Sequence, residues 1–145
     1  MKIFYILVLS TILYSCSDNI EQSYKDFNEF NQTDLRHKSW FPDFISADCY
    51  YLKEIHNLNN NNSFGVFSYK QSFRIDSMLS DRKVCENITI DTLNKFLSRI
   101  TTPNKPAWFL DKDQIQSDVF YRHNSMYLIN DTQGKKLYVV FYIVE

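Results

Sequence analysis

Residues 136–144, Lys-Leu-Tyr-Val-Val-Phe-Tyr-Ile-Val, lie near the end of the 145-residue chain and indicate its fold most clearly. After the lysine every side chain is apolar, and a strand of that composition is covered on both of its faces. A polar turn at 131–134 comes before it, with Gly134 available for positive φ. Residues 116–123 and 125–130 are two further β-rich stretches. We therefore expect 136–144 to be the central strand of an antiparallel sheet.

A second pair of strands is predicted closer to the N-terminus. Residues 50–56 and 64–70 are rich in aromatic and β-branched side chains, which favour strands. Between them lies an asparagine-rich run, Asn-Leu-Asn-Asn-Asn-Asn-Ser, at 57–63. Because asparagine tolerates left-handed backbone angles, this run indicates a hairpin loop.

Helices are expected between the two groups of strands. Apolar residues recur with helical spacing over 90–100, at Ile90, Leu93, Phe96, Leu97 and Ile100. Thr89 is a suitable N-cap and Pro103 stops the helix. Residues 71–80 form a second candidate. We predict an α+β domain over 39–145, with an antiparallel sheet of about five strands and two or three helices packed on one face.

The N-terminus has the layout of a secretory signal. Lys2 is followed by an almost wholly apolar stretch, residues 3–13, and then by Leu-Tyr-Ser-Cys ending at Cys16. This resembles a bacterial lipoprotein signal over 1–15, in which Cys16 is acylated, although Tyr14 departs from the usual pattern. An ordinary secretory signal cut near Ser15 is the alternative. A permanent membrane helix is disfavoured because about 20 apolar residues are needed to span a bilayer.

Residues 16–38 are polar and are predicted to be a spacer. Within them Ile20, Tyr24, Phe27 and Phe30 recur with helical spacing, which favours a short amphipathic helix. We expect a lipid-anchored protein of the cell envelope, with the outer membrane preferred and the leaflet left open.

The composition excludes some partners. The formal net charge is −1, so no basic surface indicates nucleic acid. Aromatic residues make up 17% of the chain, whereas only 2 glycines occur, which is typical of a compact, aromatic-packed domain rather than a disordered chain.

The chain has three cysteines. If Cys16 carries lipid, Cys49 and Cys85 remain. The envelope is an oxidising compartment, so these two could form a disulfide. Two buried free thiols are the other interpretation, since unpaired cysteine is among the residues most often buried.

Few residues indicate a catalytic site. Glu54 and His56 are two apart on a predicted strand, so they face the same side and could form an acid–base pair; a hydrogen-bonded polar face is the simpler explanation. The three histidines lack zinc-ligand spacing, and the asparagine run lacks the carboxylates of a calcium loop. We expect no metal and no cofactor. Trp40 and Trp108 are candidate binding residues together with His56, although each tryptophan could equally be a core anchor.

Residues 40–69 resemble a family of small, uncharacterised bacterial lipoproteins. Its members carry a Trp-hydrophobic-Pro motif, a His-Asn/Asp loop and a strand ending in aromatics. The matching stretches here are Trp40-Phe41-Pro42, Ile55-His56-Asn57 and Phe64-Gly65-Val66-Phe67-Ser68-Tyr69. This chain differs in having asparagines where the family loop is acidic. The resemblance implies an envelope lipoprotein domain and no known activity.

Three functions remain in view. The first is a non-enzymatic, membrane-anchored module that binds an envelope protein, as an immunity factor, an inhibitor or an assembly accessory. The second is a hydrolase with an unconventional site near Glu54 and His56. The third is a glycan- or small-ligand-binding domain that uses tryptophans and tyrosines for stacking.

Overall fold

The computed structural model describes residues 18–34, 40–81, 85–111, 114–115 and 119–141. The predicted signal peptide and Cys16 lie outside these residues. Within the described ranges no helix is long and apolar enough to span a bilayer.

The described part of the chain contains seven strands and three helices. In chain order they are β1 (Asn19–Asp26), α1 (Phe27–Asn31), β2 (Cys49–Asn57), β3 (Ser63–Tyr69), α2 (Ile75–Ser80), β4 (Glu86–Asn87), α3 (Ile90–Leu97), β5 (Val119–His123), β6 (Met126–Asp131) and β7 (Lys136–Phe141). All seven strands join one antiparallel sheet in the order β1-β2-β3-β7-β6-β5-β4. The antiparallel α+β prediction is confirmed, but seven strands replace the expected five.

Strand β7 is central, as its composition predicts. It lies between β3 and β6, with Val139 paired to Gly65 on one side and to Leu128 on the other. Four consecutive residues, 137–140, are buried, because successive side chains enter the cores on opposite faces of the sheet.

The helices divide between the two faces, so the prediction that they share one face does not hold. One core contains Val139 together with Phe30 of α1 and Leu79 of α2. The other contains the neighbouring Val140 together with Leu93 of α3. The apolar stripe of α3 predicts its buried side correctly, and the Thr89 hydroxyl caps the helix by accepting from the Thr92 amide at 3.3 Å. The apolar residues of α3 show which side of the helix is buried, but they cannot predict which face of the sheet the helix packs on.

Residues 19–26 are the edge strand of the sheet and not part of a spacer. They pair with β2 from Asn19↔Asn57 to Asp26↔Tyr50. Ile20 and Tyr24 fit a helical period of four and a strand period of two equally well. The pairing with β2 decides between the two periods, and within residues 18–34 only Phe27–Asn31 forms an α-helix. The Asp26 carboxylate ends the strand by capping α1 through the amides of Asn28 and Glu29.

The turn between β6 and β7 differs from the prediction for Gly134. Lys135, not Gly134, has positive φ, at 51°. The Asp131 carboxylate accepts a hydrogen bond from the Gly134 amide at 2.8 Å. A Cβ at position 134 would collide with this carboxylate, so glycine provides the room that the turn requires.

The two ends of the sheet carry different loops and turns. The Asn19 end contains the start of β1, the β2–β3 loop at 57–62 and the β5–β6 turn at 124–125, as the pairings of Ser63 with Phe141 and of Phe141 with Met126 show. The Asp26 end contains the start of β2 and the β6–β7 turn. At about 3.3 Å per residue, the seven steps from Asn19 to Asp26 separate the ends by roughly 23 Å.

Candidate functional site

Glu54 and His56 do face the same side of β2, and they contact each other. His56 Nδ1 lies 2.8 Å from Glu54 Oε2, and each residue is only 1% exposed. The Trp40 ring, itself 4% exposed, stacks on His56 at 3.5 Å between centroids and 19° between planes. The three side chains form a closed cluster inside the domain.

Phe41, the residue after Trp40, packs against the sheet next to the Glu54–His56 pair. Gly65 of β3 pairs with Glu54, and the Phe41 ring lies where a side chain on Gly65 would project. A Cβ on Gly65 would come within 2.9 Å of Phe41 Cε1. The glycine therefore opens the sheet surface to Phe41, and Phe41 continues the core through edge-on contacts with Phe30 and Phe67.

The asparagine run is a hairpin loop, as predicted, and several of its hydrogen bonds lie within the loop. Asn57 Oδ1 accepts from the amides of Asn59 and Asn60 at 3.0 and 3.2 Å, and Asn60 Oδ1 accepts from the Asn62 amide at 3.0 Å. Asn61 takes the left-handed conformation, with φ 56°. Together with the Trp40 cluster, the loop shows that the sequence motif of 40–69 mainly encodes packing.

Trp108 lies on the opposite face and is half-buried. Its Nε1 donates to Glu21 Oε1 at 2.8 Å, while Lys53 Nζ sits over its ring at 5.4 Å and also contacts Glu21 at 3.1 Å. The hydrogen bond from Trp108, followed by that from Lys53, lowers the pKa of Glu21. Because Lys53 occupies one side of the indole, only part of this ring is available for stacking.

Cys49 and Cys85 are buried free thiols in the same core, rather than a disulfide. Burial raises the pKa of Cys49 to about 11 and also raises that of Cys85. Thiols with raised pKa values are poor nucleophiles. Among the described residues, no group of three or more His, Cys, Asp and Glu side chains is arranged to hold a metal ion. His37 lies outside the described ranges.

One cleft combines apolar and ionisable side chains. It encloses about 650 Å³ and is lined by Asp43, Phe44, Arg74, Ser77, Met78, Asp81 and His123. His123 Nε2 lies 3.6 Å from Asp43 Oδ1, beyond a good hydrogen bond, and the His123 ring is 6.0 Å from that of Phe44. The cleft could hold a small polar ligand, but its residues are distant in sequence and leave no local motif.

The other distinctive surface is a bulge on β2. The pairing with β3 slips between Tyr50 and Lys53, and Tyr51 takes a left-handed conformation with φ 51°. Its side chain is 67% exposed and meets the Tyr50 ring edge-on at 5.1 Å. A groove of about 470 Å³ adjoins it, lined by Ser23, Tyr24, Lys25, Glu29, Tyr51, Leu52 and Lys53. Sequence patterns missed this site, since a bulge arises from the partner strand's register.

Residues 18–68 match the family model of the YbbD head domain, which indicates a small bacterial family. No significant match was found among curated proteins or among solved structures. The matched stretch covers roughly a third of the chain, from the start of β1 almost to the end of β3. It includes the Trp40–Glu54–His56 cluster, the asparagine loop and the Tyr51 bulge. Over these three strands, the chain is similar to the YbbD head domain.

Proposed function

We propose that the protein is a lipid-anchored protein of the bacterial cell envelope that binds another envelope protein and catalyses no reaction. An immunity factor, an inhibitor and an assembly accessory all fit this description. The observation that carries the proposal is Tyr51, an aromatic side chain displayed on a strained bulge. The signal-like N-terminus supplies the anchor and the location.

The conformation of Tyr51 has a cost. A non-glycine residue held at positive φ loses about 1–3 kcal/mol relative to ordinary backbone, and strain of this kind clusters at functional sites. No core packing compensates for it, because the ring points into solvent. Tyrosine is among the residues that dominate protein interfaces, since it offers a large contact area with few rotatable bonds. A role in recognition accounts for the strain.

The groove beside Tyr51 suits a protein partner. It follows the edge strand β1 and presents Lys25 and Lys53 together with Glu29. Charges of both signs around an aromatic anchor contribute specificity and correct orientation. Tyr51 is also remote from the proposed anchor, because it lies six residues, or roughly 20 Å, from the Asn19 end of the sheet. A partner could reach it while Cys16 is held in the membrane.

The enzymatic alternative has less support. Glu54 and His56 have the chemistry of an acid–base pair, but each is 1% exposed and the buried Trp40 ring stacks on His56. A substrate would need Trp40 to move aside. A small-ligand or glycan-binding domain is the second candidate, and the cleft beside His123 favours it, since about 650 Å³ lies within the usual size of ligand sites.

Site-specific photocrosslinking tests the proposal. A photoreactive amino acid would replace Tyr51 in the anchored protein, and Gln133, also at the Asp26 end, would carry it in the control. We expect one dominant adduct from position 51 in native membranes and none from 133. The captured protein would then be purified and titrated by calorimetry, with Tyr51→Ala expected to weaken binding at least tenfold and Gln133→Ala to leave it unchanged. Identical adducts at both positions, or equal affinities, would exclude Tyr51 as the contact.

A further inference from the structure

We infer that the β2–β3 loop, residues 57–62, rests on the lipid surface through Leu58, so that the Asn19 end of the sheet faces the membrane. This inference depends on the lipid anchor proposed at Cys16. It adds a second attachment point and fixes the orientation of the domain, which an anchor alone does not do.

The tether, the segment that joins the proposed lipid on Cys16 to the domain, is short. Strand β1 begins at Asn19, and Asp18 is already hydrogen-bonded to the domain. Only two peptide units separate the Cα atoms of Cys16 and Asp18. Consecutive Cα atoms are about 3.8 Å apart, so Cys16 lies within roughly 8 Å of Asp18 whatever the conformation between them. A lipid on Cys16 therefore brings the Asn19 end of the sheet to the headgroups.

Leu58 is exposed and lies beside the point where the tether leaves the domain. Its backbone amide donates to the Asp18 carbonyl at 2.8 Å, so the loop adjoins the residue from which the tether leaves. The Leu58 side chain is 53% exposed. In the described part of the chain the only other exposed large apolar side chain is Tyr51, close to the opposite end of the sheet.

The loop holds Leu58 in place. The Asn57 side chain accepts from the amides of Asn59 and Asn60, and its own Nδ2 donates to Asn19 Oδ1 at 2.8 Å. Asn60 Nδ2 also donates to Thr102 Oγ1 at 2.9 Å. Contacts on both sides of Leu58 limit its motion, so little conformational entropy is lost when it enters an interface.

The charge of the loop favours lipid as the occupant. Residues 57–62 carry no ionisable side chain, and the neighbouring Asp18, whose carbonyl accepts from the Leu58 amide, adds a single carboxylate beside them. Bacterial membranes contain anionic lipids, and an acidic loop held this close to them would be repelled. An uncharged loop with one exposed leucine meets the polar headgroups with asparagines and places its apolar side chain at the acyl boundary.

Depth-dependent fluorescence quenching tests the inference on the full-length lipidated protein. Leu58→Cys and Gln133→Cys would each carry one environment-sensitive fluorophore, with the protein reconstituted in vesicles of phosphatidylethanolamine and phosphatidylglycerol. Cys49 and Cys85 are buried and should stay unlabelled. Lipids spin-labelled near the headgroup are expected to quench the probe at 58 several-fold more than the probe at 133. A fluorophore at Asn59→Cys should lose this quenching when Leu58→Asp is added.

The controls separate the anchor from the docking. Metabolic labelling with an alkyne fatty acid should mark the wild type and not Cys16→Ala; loss of this difference would refute the anchor and the proposed location. If the wild type is acylated but positions 58 and 133 are quenched equally, the anchor stands and the docking of Leu58 is overturned. Shielding of the probe at 58 from aqueous iodide in residues 17–145, which carry no lipid, in buffer without detergent or vesicles, would instead assign Leu58 to a protein contact and would also overturn the inference.

Discussion

Replacing Trp40 by alanine gives the sharpest test of the described architecture. A buried indole removes about 200 Å² from water, which is worth roughly 5 kcal/mol at 25 cal/mol per Å². Unfolded chains already bury part of this area, so the expected loss of unfolding free energy is about 3–5 kcal/mol. Trp40 is 4% exposed, and its ring stacks on the buried His56. The loss is therefore expected in the upper half of this range.

The chain supplies a matched control, because its only other tryptophan is Trp108. Trp108 is half-buried and is covered on one side by Lys53. Its replacement by alanine should cost about 1–2 kcal/mol, since less area leaves water and its hydrogen bond to Glu21 is exposed. Trp40→Phe keeps part of the stacking on His56 and should fall between the two.

Urea unfolding of residues 17–145, followed by far-ultraviolet circular dichroism, measures these differences without relying on tryptophan fluorescence. Equal m-values among the variants would show that the same surface unfolds in each. Thermal midpoints for a domain of this size should fall by about 10–20 °C for Trp40→Ala. If Trp40→Ala costs no more than Trp108→Ala, then Trp40 is not the anchor of a closed core, and a role as an accessible stacking platform returns.

Three further predictions follow from single contacts. Gly65→Ala places a Cβ 2.9 Å from the Phe41 ring and should cost about 1–3 kcal/mol in urea denaturation; an unchanged midpoint would mean that the ring moves aside freely. Thr89→Ala removes the cap of α3 and should cost about 1 kcal/mol, whereas the exposed Thr101→Ala should cost nothing measurable. Burial raises the pKa of Cys49 to about 11, so about one native thiol in a thousand is ionised at pH 8, and an aromatic disulfide reagent should react only after unfolding. Rapid labelling of the native protein would contradict the burial of Cys49. Because the thiol of the unfolded chain releases its proton at lower pH than the native thiol, the free energy of unfolding should fall as the pH rises above 9 and level off past 11. Cys49→Ala should make this fall with pH smaller.

Local chemistry predicted most of the individual elements. The apolar run from Leu137 correctly identifies the central strand, because only a strand buried on both faces needs such a composition. The asparagine run predicts a hairpin loop and Thr89 predicts a cap, since both depend on interactions within a few residues. The alternation that places Glu54 beside His56 is likewise a property of any strand.

The features that the sequence predicted wrongly or missed share a physical cause. Ile20 and Tyr24 satisfy a helical and a strand period together, and pairing with β2 decides the outcome. At Tyr51 the pairing of β2 with β1 stays in register while its pairing with β3 shifts, which produces the bulge. The register depends on the neighbouring strands, so it cannot be predicted from the residues of β2. The cleft beside His123 combines residues from distant parts of the chain.

The α+β type of fold, the central strand, the hairpin loop and the buried side of α3 follow from the sequence alone, because they depend on hydrophobic periodicity and turn chemistry along the chain. The order of the strands, the stacking of Trp40 on His56, and the exposure of Tyr51 and Leu58 near opposite ends of the sheet appear only in the folded domain. Those features depend on contacts between segments far apart in sequence. Such contacts are selected by the packing of the whole domain rather than by the preferences of any one segment.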